Sequence, residues 1–215
     1  MMDNFKMQPI PSAKARGWTV KIDGKEQTVG LIELESKFGK LTYGLRPEGY
    51  DAWVFREAGG GGAVTVPYAR TPEGELLVGL LLEKRANMGD EPVWCVIGGF
   101  LNKGETHQQA LVRETAEESG LDAAKASELH GLRSNSNRAF FVADAKNEGV
   151  LAGGLMLSYD ELEADGRNWK LKDAALLAGF KKAGDVRFFR WRDAIRVTAD
   201  ALARSAIAQL LAAVL

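Results

Sequence analysis

Residues 99–121 read Gly-Phe-Leu-Asn-Lys-Gly-Glu-Thr-His-Gln-Gln-Ala-Leu-Val-Arg-Glu-Thr-Ala-Glu-Glu-Ser-Gly-Leu. They gather the carboxylates of Glu105, Glu114, Glu117 and Glu118 around Arg113. Glu114, Glu117 and Glu118 fall at i, i+3 and i+4, so a helix here puts them on one face, where three like charges repel unless a cation lies between them. The local signals ask for that helix. Thr106 is a capping residue, Gln109 three positions on completes a capping box, and Gly120 stops the helix in a left-handed turn. Carboxylate oxygens suit hard cations, Mg²⁺ or Mn²⁺, which share their shell with phosphates. His107, His130 and Cys95 are the only softer ligands and show no zinc spacing.

In this pattern the segment resembles the Nudix box: Gly, five residues, Glu, seven residues, Arg-Glu-apolar-any-Glu-Glu-any-Gly-apolar. The exception is Thr115 at the aliphatic position, whose methyl group is expected to pack inward. The resemblance implies a loop-helix-loop metal site that hydrolyses a pyrophosphate bond in a nucleoside diphosphate linked to another moiety. On it, Glu114 and Glu118 are the main metal ligands, Glu117 is a further ligand or orients the attacking water, and the Gly98 carbonyl is a backbone ligand. Glu105 and Arg113 form the supporting pair that fixes the loop against the helix. Metals neutralise the phosphate oxygens and lower the pKa of bound water, which is what attack on a charged diphosphate needs.

With 215 residues, 46% apolar and 27% charged, and a net charge of −1, the chain has a core of its own and no excess of basic charge to draw nucleic acid. Its one cysteine rules out an intrachain disulfide and fits the reducing cytoplasm. No signal-peptide pattern opens the chain. The most apolar stretch, Ala206 to Leu215, is too short to span a membrane and reads as a buried helix end. Cytoplasmic placement is the expectation.

The chain divides into an N-terminal arm and β meander, 1–58, and a catalytic domain, 59–215. A loose arm over 1–17 precedes a hairpin over 18–29 turning at Asp23-Gly24, and strands follow over 31–35 and 40–45. So small a sheet must pack on the main domain or on a second copy, which points to a homodimer. The Gly59–Gly62 run lacks a P-loop ending and reads as a hinge. Further strands are expected over 63–68, 76–83, 93–97, 139–143 and 186–191, with a helix over 198–214. Mixed strands and flanking helices make the fold α/β (α+β), compatible with the α/β/α sandwich that the resemblance implies. A lid-like insertion is expected around 144–185.

Leu80 to Arg85 followed by Trp94 to Gly99 is similar in layout to ADP-ribose and nucleotide-sugar pyrophosphatases, with Cys95 and Ile97 standing where those enzymes usually carry glutamate and proline. On that analogy Arg85 reaches the substrate phosphates. Trp53 and Phe55 are candidates for base stacking, against core packing as the alternative. Among the lid carboxylates Glu148, Asp160, Glu161, Glu163 and Asp165, Glu161 is the candidate general base. Cys95 reads as a buried structural thiol, and His107 as facing solvent. The favoured activity is Mg²⁺-dependent hydrolysis of ADP-ribose or a nucleotide sugar. The alternatives are a nucleoside triphosphate pyrophosphohydrolase and a non-catalytic sensing module.

Overall fold

The computed structural model describes residues 20–27, 31–37, 39–45, 51–57, 61–85, 91–129, 149–180 and 185–215. The expected arm and the strand over 139–143 lie outside these residues. The N-terminal hairpin forms as β1 (Val20–Ile22) and β2 (Lys25–Gln27). Its two turn residues, Asp23 and Gly24, have φ of 48° and 77°, both positive as a two-residue hairpin turn requires. A three-stranded antiparallel sheet follows: β3 (Ile32–Ser36), β4 (Gly39–Leu45) and β5 (Asp51–Glu57).

Among the described residues the main sheet has nine strands and is mixed. β6 (Gly61–Arg70) and β7 (Leu76–Glu83) are joined by a tight turn at 71–75, yet they pair only from Tyr68↔Val78 to Arg70↔Leu76 and then splay apart. The wedge between them is filled by 93–100. β8 (Val93–Cys95) pairs with β7, and β9 (Ile97–Phe100) pairs with β6. The single strand expected over 93–97 therefore breaks at Val96, where the chain changes partner. Gly61 and Gly62, expected in a hinge, are part of β6. A Cβ on Gly62 would lie 2.7 Å from the Gly99 carbonyl oxygen, so glycine lets the two backbones meet.

α1 (His107–Ser119) lies on one face of this sheet. Its Ala110 and Leu111 share a buried cluster with Ala63, Ile97, Leu151 and Phe188. The other face carries α2 (Trp191–Val197) and α3 (Ala201–Val214), packed through Val64, Val66, Leu80, Phe189, Ala203, Ile207 and Leu210. Ala63/Val64, Leu80/Leu81 and Phe188/Phe189 divide between the two faces, as strand alternation demands. The result is the expected α/β/α sandwich.

The described part of the expected lid is not a loose loop. β10 (Ser127–Glu128) edges the sheet, and β11 (Gly149–Met156) runs parallel to β6 from Gly149↔Gly61 to Met156↔Tyr68. The hairpin β12 (Leu162–Asp165) and β13 (Asn168–Leu171) then joins β14 (Asp185–Arg190), which pairs with β7. Gly153 and Gly154 sit inside β11 where Leu111 and Leu129 press on them; a Cβ there would lie 2.3 and 2.9 Å from those side chains. Among the described residues no helix is long and apolar enough to cross a membrane.

Candidate active site

The loop 101–106 is tied to α1 by two devices that the sequence announces. Thr106 caps the helix and Gln109 closes the capping box, the Thr106 N–H donating to Gln109 Oε1 at 2.9 Å. Arg113 then reaches back with a bidentate fork. Its Nε donates to Glu105 Oε1 and its Nη2 to Glu105 Oε2, both at 2.8 Å, while the Asn102 N–H donates to Glu105 Oε2 at 2.7 Å. The Arg113 guanidinium also donates to the Phe100 carbonyl at 3.0 Å, to Glu114 Oε1 at 2.6 Å and to Glu117 Oε2 at 3.2 Å. Those bonds hold the Glu105 carboxyl down at about 2 and raise Arg113 beyond its already high value. The pair is therefore ionised at every working pH.

The sheet supplies the other wall. Gly98 has a φ of 145°, and a Cβ would lie 2.1 Å from the Ala63 carbonyl oxygen, so no side chain fits. Its N–H donates to Glu118 Oε2 at 2.8 Å. The Glu114 carboxylate occupies the place a Cβ on Gly99 would claim, 2.6–2.8 Å away. Burial, with Glu83 and Glu114 close by, pushes the Glu118 carboxyl up to about 7 against the downward pull of the Gly98 N–H. Glu83 ends β7 and ion-pairs through its buried Oε1 with Arg85. Arg85 also bonds the Cys95 thiol, which burial pushes upward and the nearby guanidinium pulls back. Cys95 is buried and uncharged, as expected of a structural thiol.

Among the described residues no three His, Cys, Asp or Glu side chains converge closely enough to hold a metal ion. The reason is visible in the bonds: Arg113 draws Glu114 and Glu117 towards itself, while Glu118 turns to Gly98. The donor set nonetheless fits a hard divalent cation. It is all oxygen, and it brings the like charges of Glu83 and Glu114 close to Glu118, which a cation would relieve.

Comparison with known proteins now decides the family. A model of the NUDIX domain matches residues 61–192, more than half the chain. The chain belongs to the Nudix family. As a Nudix hydrolase it acts on pyrophosphate bonds, and the family's chemistry uses divalent cations. An ADP compounds hydrolase structure resembles it with a TM-score of 0.50 at 11% identity, covering 85% of this chain and 90% of that one. A C. elegans Ap4A hydrolase in a binary complex has a TM-score of 0.46 at 19% identity, covering 71% and 95%. No curated protein matches this chain closely.

Within this Nudix hydrolase, Gly98, Glu105, Arg113, Glu114, Glu117 and Glu118 are drawn together, and Arg85 stands beside Glu118 through Glu83. Glu161 is not. It lies beyond the Met156 end of β11, whereas the box meets β6 at Val64↔Gly98, and its Oε2 accepts the Ser158 N–H at 2.7 Å as part of a cap. Trp53 packs on Tyr43 within the N-terminal sheet, ring centroids 4.6 Å apart. Phe55 pairs in register with Leu41, and its side chain is outside the described set. His107 does not face bulk solvent: its Nε2 donates to the Gly149 carbonyl at 3.0 Å. Glu83, missed in the sequence, had one signal: it precedes Arg85 by two residues at a strand end, which puts both side chains on one side.

Proposed function

We propose that this Nudix hydrolase uses Mg²⁺, with Mn²⁺ as a substitute, to cleave ADP-ribose or a nucleotide sugar into a nucleoside monophosphate and a sugar phosphate. The observation that carries the reading is the complete, bonded charge set of the box, from the Glu105–Arg113 fork to the Gly98–Glu118 bond. Glu114 and Glu118, with the Gly98 carbonyl, would hold the cation, and Glu117, the most exposed of the three at 60%, would orient the attacking water. The bound cation would screen the phosphate charge and acidify that water. Arg113 positions Glu114 and Glu117 by charge-assisted bonds, and Arg85, 41% exposed, presents a guanidinium suited to a diphosphate. The fold-level likeness to an ADP compounds hydrolase agrees with a nucleoside diphosphate substrate.

The homodimer belongs to the same proposal. Ile32, Tyr43 and Trp53 are cross-strand partners on one side of the N-terminal sheet, with Leu34 and Leu41 beside them. Leu34 is 60% and Trp53 48% exposed, an apolar side suited to a second copy.

The test is to incubate the protein with Mg²⁺ and ADP-ribose, nucleotide sugars, dinucleotides or nucleoside triphosphates, then separate the products. AMP with ribose 5-phosphate, or the equivalent pair, is expected, and Glu117→Gln and Glu118→Gln should abolish it. Pyrophosphate released from a triphosphate in preference would replace this reading with a triphosphate pyrophosphohydrolase.

A further inference from the structure

Where the box helix meets the sheet, a contact at its centre is polar. Thr115 Oγ1 on α1 lies 2.6 Å from Thr65 Oγ1 on β6, and both residues are almost fully buried, at 0% and 1% exposure. Thr115 spends its only hydroxyl proton on the Leu111 carbonyl, also at 2.6 Å, so Thr65 must be the donor to Thr115. On either side the sheet presents glycine to the helix. Leu111 presses on Gly153, and the Glu114 carboxylate sits over Gly99.

We propose that the Thr65–Thr115 bond is a positioning contact that sets the depth of the box helix on β6, and through it the placement of the Glu114 and Glu118 carboxylates. This rests on the reading that those carboxylates hold a divalent cation. Two hydroxyl oxygens sharing a proton approach far more closely than two methyl groups, which touch at about 3.5–4.0 Å. An aliphatic pair at 65 and 115 would lift the helix by about 1 Å. Glu118 is three residues along from Thr115, one turn away, and its bond to the Gly98 N–H is 2.8 Å long, so such a lift carries it out of hydrogen-bond range. An error of that size separates a fitted site from a loose one.

The test compares the wild type with Thr65→Val/Thr115→Val, which removes both hydroxyls, and Thr65→Ser/Thr115→Ser, which keeps the bond. Mn²⁺ affinity is read by electron paramagnetic resonance, metal-free stability by thermal unfolding, and kcat and KM on ADP-ribose with Mg²⁺. The valine pair leaves no orphaned hydroxyl, so its unfolding midpoint is expected to fall by only a few degrees, the cost of the displaced packing. Its Mn²⁺ affinity should nevertheless fall about tenfold or more, with kcat falling and KM little changed, while the serine pair binds Mn²⁺ as the wild type does. Should the valine pair not fold, Thr115→Val alone carries the same expectation, because its methyl still replaces the hydroxyl that Thr65 approaches. Wild-type Mn²⁺ affinity in the valine pair, or in Thr115→Val where that pair does not fold, overturns the positioning role and leaves the metal reading standing. Mn²⁺ binding that is undetectable in the wild type, or unchanged by Glu118→Gln, overturns the metal reading and the proposal with it.

Discussion

Glu105 and Glu118 illustrate opposite uses of charge. Glu105 is fully bonded and held at about 2, below its ordinary 4.5. Its contribution to stability is therefore present above about pH 4.5 and is lost as the pH falls towards 2. Glu105→Gln should cost about 2 kcal/mol at pH 7 and progressively less in acid, read from urea midpoints across that range. Glu118 behaves inversely. With its carboxyl raised from 4.5 to about 7, the folded chain binds more protons than the unfolded one between those values, so metal-free stability falls as pH rises through the window. Glu118→Gln removes that penalty: at pH 8 without metal it should unfold several degrees higher, at about 2–4 °C per kcal/mol, while losing turnover. An unfolding midpoint at or below the wild-type value at pH 8 would contradict the account.

At the scale of elements, what the sequence makes legible is what local chemistry dictates. The box helix begins and ends where Thr106, Gln109 and Gly120 place it, because capping is decided within a few residues. The Asp23-Gly24 turn and the strands around Leu76 to Glu83 follow for the same reason. Features set by distant partners are not legible. Val96 interrupts a strand only because β6 and β7 splay, and Glu161 is a cap because β11 ends beside Tyr68 rather than at the box. Gly153 is needed because α1 lies upon it, a contact that no nearby residue signals. That close approach gives a prediction. Gly153→Ala meets Leu111 Cδ1 at 2.3 Å, so it should destabilise by about 1–3 kcal/mol in a denaturant titration. Adding Leu111→Ala, which vacates the space, should make the two losses less than additive. Strict additivity would mean that the strand and helix do not meet there.

For the whole molecule, the question is what covers the apolar side of the N-terminal sheet. Its two sides are sharply different: Ile32, Leu34, Leu41, Tyr43 and Trp53 share one, while Glu33, Glu35, Lys40 and Thr42 share the other, where Lys40 and Glu33 pair at 2.6 Å. Tyr43 on the apolar side is buried, but Leu34 and Trp53 on the same side remain exposed, and a three-stranded sheet with such residues open to solvent is marginal alone. In a two-fold pair each substitution counts twice, since the same patch faces itself. Burying Leu34 is worth about 1.5–3 kcal/mol per copy, so Leu34→Lys should weaken the pair by about 3–6 kcal/mol, or 10²–10⁴-fold in Kd. Sedimentation velocity over a concentration series should show a wild-type dimer and a Leu34→Lys monomer at micromolar concentration. Because Leu34 lies on a different sheet from the box, the Glu105–Arg113 fork should survive the change, and the variant's acid stability should match that of the wild type. A wild-type chain that sediments as a monomer throughout would leave the apolar side to be covered within the chain itself.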